Sequence, residues 1–358
     1  MKLGIVGLPN VGKTTLFNAL TGAKAETSSY YNAAARPNIG TAKVPDERLD
    51  WLAEYYHPKK YSPATIEFVD VAGVSSGGGK GNEVFQAIRQ TDALVEVVRC
   101  FDNDDIFLEK ADAVRDAESF ELELILADIE IVERRLERAK KNAKSGEKKY
   151  KRECEMCEAL LAHLTEERPA REFEFSDEDK DILADGGLLT VKPVIYAANL
   201  DEQGMADLAS SGNFQALSAY AAEHGAAVLP VAAKFEEDIA EMEPEEAQMF
   251  MEDLGLTETG LDRLIRTSYD LLGYISFLTA GEDDVHAWTI VRGTKAPRAA
   301  GKIHTDIERG FIRAEIVAFE DLKACGSMAA AKEKGLFRLE GKDYVMQDGD
   351  VTMFRFNV

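Results

Sequence analysis

Gly7-Leu8-Pro9-Asn10-Val11-Gly12-Lys13-Thr14 is the stretch on which the fold turns. It satisfies G-x-x-x-x-G-K-[ST], a pattern whose four fixed positions arise by chance in a chain this long on the order of one time in a hundred. Lys2 to Val6 before it is a short apolar run that stops at glycine, and Thr14 to Leu20 after it resumes at helical spacing. The order is therefore strand, loop, helix, the opening of a doubly wound α/β domain. Glycines at both ends let backbone N–H groups wrap around phosphate oxygens without interference from a Cβ atom. Lys13 then reaches the β and γ phosphates, and the Thr14 hydroxyl is a ligand for Mg²⁺. Asn10, Val11, Gly12, Lys13, Thr14 and Thr15 are the nucleotide-binding candidates of this loop.

Further strand candidates are Thr65 to Val69, Ala93 to Val98, Val191 to Ala197 and Val228 to Val231, with helical patterns between most of them. Asp70-Val71-Ala72-Gly73 follows the first directly. There a D-x-x-G sets the Asp70 carboxylate near Mg²⁺ and the Gly73 N–H at the γ-phosphate, so Lys13, Asp70 and Gly73 are the catalytic candidates and Thr14 and Asp70 the metal ligands. The next residue is Val74, where a small GTPase places a water-orienting glutamine. A guanine site ordinarily carries N-K-x-D, whose aspartate accepts from N1–H and the 2-amino group; the chain has Asn199-Leu200-Asp201-Glu202 instead. Losing the aspartate removes an attraction for guanine and a repulsion against adenine, leaving base choice open or leaning to adenine. Ala232-Ala233-Lys234 falls where a backbone N–H is offered to the base, which makes Ala233 a further binding candidate.

With 42 Lys+Arg against 65 Asp+Glu the formal charge is -23, which works against indiscriminate polyanion binding, so nucleic-acid contact requires a local basic patch. Four scattered cysteines make no disulfide framework and point to the cytoplasm. No apolar run approaches the roughly 20 residues of a membrane helix. From Ser119 to Ala139 apolar residues fall at Leu122, Ile125, Ile129, Val132 and Leu136, and after Lys144-Ser145-Gly146-Glu147 they resume at Tyr150, Cys154, Cys157, Leu161 and Leu164. This predicts an inserted antiparallel helical hairpin. Its tip carries Lys140, Lys141, Lys144, Lys148, Lys149, Lys151 and Arg152, which reads either as a solvated face or as an RNA-contacting surface. Cys154 and Cys157 read as helical core, since no second pair follows at zinc spacing. Beyond Tyr274 short strands (His286 to Val291, Phe311 to Val317, Asp343 to Met346, Thr352 to Phe356) predict a small α+β domain, near neutral with 12 Lys+Arg against 13 Asp+Glu from residue 275.

Gly4 to Leu20, Val97-Val98-Arg99-Cys100-Phe101, Asn199 to Glu202, Gly301 to Asp306, Gly310 to Ala314, Gly341 to Val345 with Asp348-Gly349-Asp350, and Phe356-Asn357-Val358 together resemble the YchF/Obg-like ATPase family over essentially the whole chain. The resemblance implies a P-loop NTPase domain in two parts (1–118 and 183–274), a coiled-coil insertion (119–182) and a ubiquitin-like TGS domain (275–358). It also implies ATP preferred over GTP, with Mg²⁺, in a monomer that associates with ribosomes or tRNA through the hairpin tip and the TGS domain. Phe101, Asn199, Leu200 and Glu202 would line the adenine pocket. Aligned on Pro37-Asn38-Ile39-Gly40, the family's metal-touching threonine falls at Ala34. A histidine that many members carry for positioning water falls at Leu108. Binding residues persist while hydrolysis residues are missing, so the expectation is a slow, activator-dependent ATPase switch. A binding module with negligible turnover and a GTP-specific switch are the rivals.

Overall fold

The structure, a computed structural model, describes residues 2–25, 37–71, 81–103, 107–183, 187–240, 242–253 and 258–357. Ala34, Gly73 and Val74 lie outside the described residues. In chain order the strands are β1 (Lys2–Val6), β2 (Asn38–Lys43), β3 (Lys60–Ser62), β4 (Thr65–Asp70), β5 (Ala93–Arg99), β6 (Val194–Asn199), β7 (Ala227–Val231), β8 (Tyr274–Ala280), β9 (Asp284–Val291), β10 (Phe311–Ala318), β11 (Arg338–Glu340) and β12 (Asp350–Phe356). They belong to two compact units, one of residues 1–41 with 67–264, the other of residues 42–66 with 265–358.

In the first unit the sheet runs β2-β4-β1-β5-β6-β7. β4, β1, β5, β6 and β7 pair in parallel, with Ile5 opposite Asp70, Val6 opposite Glu96, and Arg99 opposite Asn199. Every residue of β5 is buried, as befits a central strand covered by helices on both faces. The register brings Val6, Asp70, Arg99, Asn199 and Val231 to one edge, the carboxyl edge at which ligands of such sheets bind. Strand β6 begins three residues later than the apolar pattern from Val191 suggested. Val191 is exposed within a turn, and Pro193, which has no N–H to give to a ladder, precedes the first paired residue.

The predicted hairpin is present as helices Ala113–Asn142 and Lys148–Thr165, joined by a short turn that ends at Gly146 in the left-handed conformation. Ile125, Val132, Met156, Cys157, Leu160 and Leu164 form its core together with Ala170, Ile182 and Leu188. Cys157 is fully buried there and Cys154 half-buried, and no metal-binding cluster occurs among the described residues. At the hairpin's root Arg171 pairs with Glu121, and burial beside Glu121 holds the Glu96 carboxyl well above the usual range.

The second unit has its own sheet, ordered β11-β10-β12-β8-β9-β3, over a core of Phe277, Ile290, Ala300, Phe311, Ile316 and Phe354. The strand expected at Asp343 to Met346 shrinks to a turn at Lys342 and Asp343 followed by a single antiparallel bridge between Val345 and Lys295. Its backbone is spent on Ala296 and Thr294, through Ala296 N–H to Tyr344 O and Met346 N–H to Thr294 O. Residues 42–66 contribute β3, parallel to β9, and helix Glu47–Tyr56, capped by Asp46.

Candidate functional site

The loop between β1 and helix Lys13–Thr21 needs its glycines for two reasons. Gly7 and Gly12 have φ of 134° and 100°, which L side chains rarely adopt. A Cβ would also stand 2.6 Å from Val97 O at Gly7 and 2.4 Å from Asn199 Nδ2 at Gly12. The loop therefore closes against the ends of β5 and β6 at contact distance. Thr15 is half-buried at the start of the helix, and Asn10 is exposed with φ 63°.

Lys13 is 7% exposed, and its ammonium donates to Leu8 O at 2.5 Å, folded over the loop. Burial pulls its pKa down to about 8, with the charge of Asp70 opposing the shift. The Thr14 hydroxyl donates to Asp70 Oδ2 at 3.0 Å, and Asn38 Nδ2 donates to the same oxygen at 3.2 Å. A hydroxyl and a carboxylate held together beside a phosphate-binding loop are hard oxygen donors suited to Mg²⁺, which takes one or two protein oxygens and completes its octahedron with water and phosphate. The residues present fit the ion: Thr14 and Asp70 would hold it, and it would neutralise charge on the phosphates.

Asn199 ties the site together. Its Nδ2 donates to Val11 O at 2.8 Å and its Oδ1 accepts from Ala233 N–H at 3.0 Å, so one side chain joins the phosphate loop to helix Ala233–Ala240. The Ala233 N–H, expected to face a base, here orients Asn199. Leu200 is 4% exposed, Phe101 is half-buried, and Glu202 is exposed at the start of helix Glu202–Ala206, whose cap is Asp201 accepting from Gly204 N–H at 2.8 Å. The fold thus brings the loop residues, Asp70, Asn199 and Ala233 together through direct bonds, whereas the Glu202 side chain makes none among the described residues.

Two residues escaped the sequence reading as contributors. Asn38 is one; the other is Arg99, which entered only as part of a family motif. Arg99 is 3% exposed, donates through both η nitrogens to Glu109 O at 3.3 Å, and lies 3.8 Å from the centre of the Phe107 ring. It grips the loop that begins with Phe101, and Asp102 closes the same loop by accepting from Ala111 N–H at 2.8 Å. Leu108, between the two gripped residues, is fully exposed. A buried arginine at a strand's end was the available signal, since such a cation requires partners.

Comparison with known proteins agrees with this geometry. Residues 2–130 match the family model of the 50S ribosome-binding GTPases, and residues 274–357 match the YchF-type GTPase C-terminal model, described as a protein of unknown function. The chain is 51% identical over 361 residues to the ribosome-binding ATPase YchF of Bacillus subtilis, with 99% of each chain covered. It is 40% identical to Obg-like ATPase 1 of Oryza sativa subsp. japonica, covering all of this chain and 92% of that one. The solved YchF GTPase of Schizosaccharomyces pombe superposes with a TM-score of 0.86 at 35% identity, over 99% of this chain and 97% of that structure. The phosphate loop, the Asp70 strand and the C-terminal unit that matches its own family model are thus parts of one shared architecture, and the chain belongs to the YchF family.

Proposed function

We propose that this protein binds ATP with Mg²⁺ in preference to GTP, hydrolyses it slowly, and uses the bound state as a switch on the translation machinery. The observation that carries the base preference is the engagement of Asn199 to Glu202. Leu200 is buried where a guanine site has lysine, the Asp201 carboxylate is committed to Gly204 N–H at 2.8 Å, and Glu202 is exposed. No carboxylate of this segment is positioned by a bond to accept both guanine donors. Phe101 and Leu200 flank the adenine, Lys13 and Gly73 attend the γ-phosphate, and Thr14 and Asp70 hold the ion. Titration of the purified protein with ATP and GTP tests the preference; a GTP affinity tenfold above that for ATP would sink it.

Ribosome association is supported by the names of the relatives and by the basic hairpin tip. The hairpin (119–182) and a TGS domain (275–358) act as the RNA-facing parts of a cytoplasmic monomer, with the NTPase domain (1–118 and 183–274) as the switch. The specific observation that favours a second reading, a binding module with negligible turnover, is Leu108, an exposed apolar side chain where the family resemblance places a water-positioning histidine. Phosphate release from ATP and from GTP, with and without ribosomes, separates the two.

A further inference from the structure

Asp70 Oδ2 receives two hydrogen bonds, one from the Thr14 hydroxyl at 3.0 Å and one from the Asn38 side-chain amide at 3.2 Å. The two donors come from different elements: Thr14 from the helix that follows the phosphate loop, and Asn38 from the start of β2, the sheet's edge strand beside β4. Two donors converging on one oxygen define the carboxylate's rotation about its terminal torsion, which is otherwise broad and nearly two-fold. Neither bond uses Oδ1.

We propose that Asn38 is a positioning residue for the magnesium site, acting through Asp70 by fixing the rotation of its carboxylate before the ion arrives. The proposal rests on the Mg²⁺-nucleotide reading of Lys13, Thr14 and Asp70. Thr14 and Asp70 would hold the ion, and the Asn38 amide is the second restraint that keeps the Asp70 carboxylate from swinging. A neutral amide suits this task, because it donates to the carboxylate without repelling the cation as a lysine would. In sequence, residues 34 to 40 carry a side-chain amide at Asn38 and no hydroxyl, Ala34 included. Partners that orient a metal-binding carboxylate typically change metal affinity by about 10- to 100-fold when removed. This sets the size of the expected effect.

The test uses Asn38→Ala and the similarly sized Asn38→Leu in the full chain, with a fluorescent ATP analogue titrated at stepped Mg²⁺ concentrations and again in EDTA. Both variants are expected to need about tenfold more Mg²⁺ for half-maximal tightening of nucleotide binding. Their affinity in EDTA and their melting temperatures should match wild type, because the edge strand gives up one side-chain hydrogen bond and keeps its backbone bonds. An unchanged Mg²⁺ requirement in both variants, with wild type responding normally, overturns the role of Asn38 alone. An equal loss of affinity in EDTA also overturns it, since that would make Asn38 a support of the strand. If wild-type binding itself ignores Mg²⁺, the underlying reading of the site fails and the role of Asn38 with it.

Discussion

Lys13 holds a positive charge where water scarcely reaches it, and a pKa near 8 records the cost. The sign of its effect follows from proton counts: between about 8 and the ordinary 10.5 the unfolded chain keeps a proton that the folded one has released. Stability of the ligand-free protein therefore gains from Lys13 as pH rises through that window. Phosphate oxygens reverse the shift by favouring the charged form, so nucleotide binding should take up a proton above pH 8 and weaken as pH rises further. Calorimetry at pH 8.5 in two buffers of different ionisation enthalpy should give different heats, and identical heats would contradict the argument. Lys13→Ala should abolish Mg²⁺-nucleotide binding altogether; unchanged affinity would remove the phosphate loop from the site. The meeting of Lys13, Thr14 and Asp70 at one edge of the sheet was readable from sequence because it follows from local spacing and strand order. Asn38 was not, because its partner Asp70 lies 32 residues away and an asparagine after proline looks like any turn residue.

Among the elements, helix Gly260–Leu271 shows a buried acid at work. Glu236, on helix Ala233–Ala240, accepts from Gly260 N–H at 2.7 Å, and a Cβ at Gly260 would stand 2.5 Å from its carboxylate. Burial pushes the Glu236 carboxyl up to about 7 despite bonds from Gly260 and Leu261 that favour its ionised form. Because the folded value is raised, its contribution is fully present below about 4.5 and is lost as pH climbs through 7. Glu236→Gln, which cannot ionise, should therefore show a smaller fall in melting temperature between pH 5 and pH 8 than wild type. Equal falls would locate the pH dependence elsewhere. The hairpin was legible because its stripes repeat over many turns, and the structure sorts its tip more finely than the sequence could. Lys140 pairs with Glu158 at 2.8 Å and Arg152 with Asp179, while Lys141, Lys148 and Lys149 are exposed and have no ion pair among the described residues. Reversing these three charges should weaken ribosome or RNA association and lower its salt slope by about one for each phosphate no longer neutralised. Unchanged salt dependence would leave the tip a solvated face.

At the scale of the whole molecule, the second unit is the part that local pattern could not assemble. Its edge strand β3 comes from residues 42–66 and pairs with β9, Lys60 opposite Asp284, across more than two hundred residues. Periodicity has no access to such a pairing. Catalysis is also a property of the assembled chain, and the proposed function separates binding from turnover. Phosphoryl transfer needs a positioned water and stabilisation of the transferring group; in the function proposed above, Lys13, Thr14 and Asp70 would serve only the second. On the family resemblance a water-positioning group would enter from the loop at the end of β5, which Arg99 holds through Phe107 and Glu109 with Leu108 exposed between them. An alkyl side chain has no lone pair with which to align a nucleophile, so turnover without an activator should fall well below the enzyme median of about 10 per second, at about a minute or more per cycle. Because the loop's grip rests on the neighbours of Leu108 and its side chain touches little, Leu108→His should fold normally. It should raise the hydrolysis rate while leaving ATP affinity unchanged, since a group that acts on the water alone is felt only in the transition state. Tighter ATP binding with no gain in rate would show that the position faces the bound nucleotide and not the attacking water. Wild-type turnover above about one per second would show that another residue already orients the water.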